Sequence, residues 1–391
     1  MLKAFGRDLS APAAVQGLIV ALVGFTSSVA ILIKGLANMG ASEAQIASAL
    51  LFVGFAKGIA AIVLSLHSRM PISVAWSTPG LALLGATGAV SGGFPAVVGA
   101  FIVTGALIVL AAFWQPLSRF VQAIPKPIAA AMLAGILFKL CMAPFIAIQA
   151  TPSAVLAIIG VWLILLRIAR LWAVPAAVLL ALGLTAATTG FGEGFSFRFA
   201  RPVFVMPEIT VSALLGVALP LFIVTMASQN ITGLAVLSTY GYRHKPRDGL
   251  FVTGALSMIT APFAAPTINY AAITAALCAG PDAGTDPAKR YVAAVFSGLG
   301  YILLTLFAAV TAALVLRASP ALIEAAAGLA LIGAFGAAMQ GAIAEEESRL
   351  PALLTFFIAA SGLTILGIGG AFWGLVAGWG VHLAFRMTAK S

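Results

Sequence analysis

Nine stretches of the chain contain no Asp, Glu, Lys or Arg: 9–33, 70–118, 140–166, 171–192, 209–242, 249–281, 291–316, 325–344 and 350–385. A helix that crosses a bilayer needs about 20 apolar residues, so the stretches 70–118, 249–281 and 350–385 each hold two spans. They divide at Gly92-Gly93-Phe94-Pro95, around Pro262 to Pro266, and at Gly369-Gly370, where glycine and proline favour turns. Helices near 43–66 and 122–142 bring the expected total to fourteen segments. The predicted fold class is an all-α polytopic membrane protein.

Composition removes the alternatives. Of 391 residues 62% are hydrophobic and 8% charged, too few polar side chains to cover a water-soluble fold of this size. The apolar stretch 9–33 is longer than a signal-peptide core and reads as the first membrane helix. The net charge of +10 does not describe a nucleic-acid surface, because the basic residues lie in short clusters between apolar runs. With the N-terminus cytoplasmic, fifteen of the 21 Lys and Arg residues fall on the inner side, Arg7, Arg69, Arg119, Arg243, Lys289 and Lys390 among them. Lys34, Arg198, Arg201 and Arg317 fall outside, and Lys57 and Lys139 lie within predicted spans. The positive-inside rule then places both termini in the cytoplasm. The expected location is among the lipids of a bacterial-type inner membrane. Cys141 and Cys278 are far apart in apolar surroundings and read as packing residues.

The polar connection 192–208 follows the seventh segment and divides the chain into halves 1–191 and 209–391. An odd number of segments per half implies inverted repeats. GFTSSVAIL at 24–32 resembles TMASQNITGLAVL at 225–237, and PISVAWSTPGLALLGATG at 71–88 resembles APFAAPTINYAAITAALCAG at 261–280. These are the first and third segments of each half.

The third segments are short and interrupted by proline, the feature that marks a transporter's binding region. Pro71 and Pro79 bracket Trp76, Ser77 and Thr78, with helix expected from Pro79 under a Ser77 or Thr78 cap. Pro262 and Pro266 precede Thr267, Ile268, Asn269 and Tyr270. Two half-helix N-termini facing each other would favour a carboxylate through free N–H groups and helix dipoles. In the first segments, Ser27 and Ser28 read as packing residues, whereas Ser228, Gln229, Asn230 and Thr232 are costly to bury without partners and either contact substrate, the favoured reading, or join helices by hydrogen bonds. Lys57 lies deep enough in its span to be a candidate proton carrier, against the plainer reading of a side chain snorkelling to the interface. Lys139 reads as snorkelling, and His67, His244 and His382 as interfacial. Gly370, Gly374 and Gly378 form a helix-packing stripe. No nucleotide-binding, zinc-hydrolase or serine-hydrolase signature is present, so neither a cofactor nor a metal is expected, and no catalytic residue.

The residues AWSTPG (75–80), ASQNITGLAVLSTYGY (227–242) and NYAAITAALCAG (269–280) resemble the benzoate/proton symporter (BenE-type) family along essentially the whole chain. That family is similar in architecture to uracil and nucleobase permeases and to sulfate-permease-type anion transporters. The resemblance implies seven-plus-seven inverted repeats, with a core domain from 9–118 and 209–317 and a gate domain from 119–191 and 318–391. It places substrate between segments 3 and 10, facing segments 1 and 8. Trp76 falls at an aromatic contact position of the permeases, and Ser228, Thr232, Thr267 and Ile268 at their polar or acidic ones. Ser228 and Ile268 stand where the permeases carry membrane glutamates, a departure that argues against nucleobases and suits an anion.

The expectation is therefore import of an aromatic carboxylate such as benzoate, its charge near Ser77, Thr78, Thr267 and Asn269 and its ring between Trp76 and Tyr270. Bringing an anion in against an inside-negative potential costs about 2.3 kcal/mol per 100 mV, so a driving ion is needed, and a proton is the expected one. The rivals are a carrier of another small anion or a nucleobase, a passive channel and a membrane-embedded enzyme. The resemblance also allows a homodimer joined through the gate.

Overall fold

The structure, a computed structural model, describes residues 2–117, 123–188, 198–271, 273–365 and 368–388. Arg119, Lys390 and positions 192–197 of the expected linker lie outside the described residues. Among those described, seven helices are long and apolar enough to cross a membrane, and an eighth crossing results if the pair Pro287–Thr305 and Ala308–Arg317, bent by 65°, is one span. The chain is a mostly helical, polytopic membrane protein. Its other expected segments are shorter apolar helices or helices interrupted by extended backbone.

The first half runs α1 (Leu2–Asp8), α2 (Ala11–Thr26), α3 (Val29–Asn38), α4 (Glu43–Ser68), β1 (Val74–Trp76), α5 (Thr78–Thr87), α6 (Gly93–Phe113), α7 (Lys126–Ala147), α8 (Pro152–Ile168) and α9 (Ala173–Thr188). Local chemistry sets the ends. Ser10 caps α2, and Ser42 with Gln45 forms a capping box on α4. After α4 the chain turns through Arg69 in the left-handed region (φ 55°), which carries its guanidinium to Asp8. Asp8 also accepts a hydrogen bond from Tyr291 Oη at 3.1 Å, so one buried carboxylate ties together the starts of two helices and the end of a third. Burial pushes this carboxyl upward, but donation from Tyr291, Arg7 and Arg69 outweighs it and holds Asp8 below the usual carboxylate range.

The second half runs α10 (Val211–Thr239), α11 (Pro246–Thr260), β2 (Ile268–Tyr270), α12 (Ile273–Ala279), α13 (Tyr291–Thr305), α14 (Ala308–Arg317), α15 (Pro320–Ile343), α16 (Arg349–Ser361), the strands β3 (Thr364–Ile365) and β4 (Ile368–Gly369), and α17 (Gly370–Thr388). One set of contacts joins α2 and α4 to α13, and α6 to α11; another joins α7 to α15 and α16, and α16 to α17. Glycines allow the closest approaches. A Cβ on Gly58 would lie 2.7 Å from the Gly298 carbonyl, and one on Gly374 would lie 2.7 Å from that of Thr355. His382, expected at an interface, is buried on α17 with Nδ1 3.4 Å from Ser348 Oγ, because α17 packs along α16.

The extended pieces meet in the interior. β1 and β2 pair antiparallel, Val74 with Tyr270, Ala75 with Asn269 and Trp76 with Ile268. Extended backbone within a membrane survives only where its polar groups find partners in the protein, since each one left bare costs several kcal/mol. Ser65 Oγ serves the Ile72 amide at 3.2 Å, Ser257 Oγ accepts from the Ile268 amide at 2.9 Å, and Asn230 Oδ1 accepts from the Tyr270 amide at 3.0 Å.

Candidate functional site

The pairing is symmetric about Ala75 and Asn269, and alternation along a strand assigns the side chains to two faces. Ala75 and Asn269 share one face. Trp76, Ile268, Val74 and Tyr270 take the other. Ala75 is half-buried, and Asn269 opposite it is fully buried.

On that first face stand some of the buried polar groups that nothing in the fold uses; Thr151 Oγ1, His244 Nε2 and His382 Nε2 are others elsewhere. Both amide atoms of Asn269 and the hydroxyl of Thr267 are buried without a hydrogen-bond partner among the described residues. Thr267 precedes Asn269 by two positions and shares its face. Thr225, on α10, is a further buried hydroxyl of this kind, and the sequence reading passed over it. Native folds leave few buried polar groups unpaired, and those that remain call for a user.

The helix end beside them is more occupied than the sequence reading allows. Ser77, not Thr78, is the cap of α5, its hydroxyl accepting from the Gly80 amide at 3.1 Å. Leu81 N donates to Ser77 O at 2.8 Å, and Pro79 has no N–H to offer. The Ala271 amide is likewise spent on Ser73 O at 3.0 Å. What α5 offers at this end is mainly its dipole.

The other face is closed. Trp76, 2% exposed, donates from Nε1 to Ser28 Oγ at 2.8 Å and packs 5.9 Å from the Phe25 ring. Lys57, 1% exposed, lies over Trp76 at 3.4 Å, over Tyr301 at 3.6 Å and 5.8 Å from Phe25. No ion pair among the described residues involves it. A desolvated ring face contributes about 2 kcal/mol to an ammonium, so two such faces match the roughly 2.5–3.5 kcal/mol that a lysine costs at the centre of a span. The side chain does not snorkel; it is caged. Tyr270 turns away as well, its ring against Gly249 and 5.8 Å from that of His244, and its hydroxyl donating to Pro246 O at 3.5 Å. Ile268 is fully buried on the same side.

The α10 candidates divide. Asn230 holds β2 and donates from Nδ2 to Met226 Sδ at 3.2 Å, so its amide is committed to the fold. Ser228 Oγ donates to Val224 O at 2.6 Å, and Thr232 is exposed with its hydroxyl 3.4 Å from Ala227 O. Gln229 is half-buried and makes no hydrogen bond among the described residues. Residues 226–230 form one turn of π-helix, a distortion that recurs at functional sites. The first segment breaks at the matching place, Ser27-Ser28 between α2 and α3. Sequence reasoning missed Phe25, Tyr301, Ser65 and Ser257, whose roles arise only when distant segments meet; for Ser28 it saw packing where there is also a hydrogen bond.

Comparison with known proteins places these features in a lineage. The profile of the family described as BenE, benzoate membrane transport protein, matches residues 7–384. The chain is 36% identical over 379 residues to the inner membrane protein YdcO of Escherichia coli (strain K12), covering 97% of each chain. It is 32% identical over 388 residues to the benzoate membrane transport protein of Acinetobacter baylyi, covering 97% of this chain and 96% of that one. The fold is similar to the transmembrane domain of the cyanobacterial bicarbonate transporter BicA, with a TM-score of 0.61, 16% identity and coverage of 90% and 97% of the two chains. It is also similar to murine Solute Carrier 26 family member A9, an anion transporter in the inward-facing state, with a TM-score of 0.62, 13% identity and coverage of 97% and 68%. This is a membrane transporter and not an enzyme, and the chain belongs to the benzoate membrane transport protein family.

Proposed function

We propose that the protein imports benzoate or a similar aromatic carboxylate together with a proton. The observation that carries this reading is the buried, unpartnered Asn269 amide and Thr267 hydroxyl beside the half-buried Ala75 of the strand pair. A carboxylate accepts hydrogen bonds only, and Asn269 Nδ2–H and Thr267 Oγ–H are donors in want of an acceptor. The dipole of α5 adds to their pull, and α7, which packs against α5, faces the ring.

Lys57 is our assignment for the proton. Its cage and its insertion cost nearly balance, so small changes around it decide whether it carries a charge. A carboxylate on one face and an ammonium on the other attract, so substrate and proton load together. The pair is neutral in sum, and the membrane potential no longer opposes entry.

In this reading the chain has fourteen spans in two inverted repeats, 1–191 and 209–391. A core from 9–118 and 209–317 carries the site, and it moves against a gate from 119–191 and 318–391. The two sets of helix contacts support that division. The basic-residue count supports an inner-membrane protein with both termini cytoplasmic.

The test is uptake of labelled benzoate by the purified protein in liposomes, with empty liposomes correcting for neutral benzoic acid that crosses lipid unaided. The expected result is protein-dependent accumulation under an inward proton gradient, lost on adding an ionophore and reduced at least about tenfold by Asn269→Ala. Normal uptake by that variant rejects the site; saturable uptake indifferent to the gradient rejects the coupling; transport confined to other anions or nucleobases rejects the substrate.

A further inference from the structure

A cavity of about 530 Å³ opens between α3 and α5 on one side and α7 and α15 on the other. That volume is in the range of small-ligand pockets. Its charged lining residues are Lys34, Lys139 and Glu324, which leaves one positive charge in excess. Apolar walls come from Ile31, Leu81, Leu140 and Leu331. Lys34 Nζ lies 3.3 Å from Glu324 Oε1, and Lys139 Nζ is 3.5 Å from Ser361 O. The Lys34–Glu324 pair is the bond that joins α3 to α15 across the cavity.

The cavity has a fixed relation to the strand crossing. α5 starts beside β1, and its residues Leu81, Ala82 and Gly85 line the cavity, so one ten-residue helix of about 15 Å connects the two. The cavity lies toward the end of α3, the face of the membrane opposite α1.

We propose that this cavity is an outer capture site for the aromatic carboxylate, in which the incoming carboxylate replaces Glu324 on Lys34 and thereby releases α3 from α15. The inference rests on the substrate class proposed above. Glu324 is the only carboxylate among the described residues of the lining, and it already shows the contact that a substrate carboxylate would make. The pair is partly exposed, and pairs of that kind are readily exchanged. Lys139 supplies the second cation, and the apolar walls take the ring. No bond is made or broken covalently; one ammonium exchanges one carboxylate for another.

The test is initial-rate uptake of labelled benzoate in right-side-out and inverted membrane vesicles. In Lys34→Gln and Lys139→Gln the KM for uptake from the face that bears the cavity should rise about tenfold. Glu324→Gln should shift the same KM the opposite way, lowering it about threefold, a direction that misfolding does not produce. Lys34→Arg should restore wild-type behaviour. Unchanged KM in both lysine variants, or equal shifts on the two faces, overturns the capture site while leaving the transport reading intact. A wild-type protein that carries no aromatic carboxylate removes both.

Discussion

The two faces of the β1–β2 crossing are built from the same six residues and differ in what they leave unfinished. On the Trp76 face the indole N–H has Ser28, the Lys57 Nζ lies over two aromatic rings, and the Tyr270 hydroxyl has a carbonyl. On the Asn269 face an amide and a hydroxyl have none. An unpaired buried polar group costs about 1–3 kcal/mol, so the second face is expensive for the fold and the first is not. Strand alternation thus lets one pair of short strands enclose a lysine behind and leave hydrogen-bonding capacity unused in front.

The contrast is most severely tested by Asn269→Asp, which sets a carboxylate against a carboxylate. Uptake should fall about 100-fold with unchanged membrane insertion, and near-normal uptake would falsify the assignment of this face to substrate. Lys57→Met keeps the shape and removes the charge. Benzoate exchange should continue, while the roughly tenfold accumulation that a one-unit pH gradient can drive through one proton disappears; retained accumulation places the proton elsewhere. Thermal unfolding in detergent separates the faces by sign. Trp76→Phe loses the bond to Ser28 and should destabilise by about 1 kcal/mol, whereas Asn269→Leu, which discards unpaired groups, should leave stability unchanged or raise it. If both variants destabilise equally, the faces are not energetically distinct.

The smallest effect is expected far from the crossing, at Asp8. Its carboxyl is held below the usual range, so the clamp with Arg69 and Tyr291 adds stability above the unfolded-state value of about 3.9 and loses it as pH falls through the lower folded value. Asp8→Asn should flatten the acid limb of a stability–pH curve and leave its neutral plateau lower. A curve of unchanged shape argues against the clamp.

The long spans and the position of the two interruptions are legible in the sequence because both rest on local chemistry: charge-free runs, and prolines that cannot donate within a helix. Asn269 and Thr267 are legible for the same reason, lying just after Pro266. The outward turn of Trp76 and Tyr270 is not, since the register with a strand almost two hundred residues away decides which face each ring takes. Nor is the cage of Lys57, whose walls come from α2, β1 and α13. Asn230 looks from the sequence like a substrate ligand because a buried amide needs a partner; the partner turns out to be the backbone of β2.

The strand pairing also bears on how the protein is made. β1 ends at Trp76 and its partner begins at Ile268, so 191 residues must be synthesised between them. At about 5–20 residues per second this takes roughly 10–40 s. Throughout that interval the first half lies in the membrane with a strand whose edge has no mate, a condition that lipid cannot relieve. Ser65 can hold Ile72 meanwhile, but Ala75 must wait for Asn269. Asn269, buried without a side-chain partner in the finished protein, is thus also the residue whose arrival completes the strand pair.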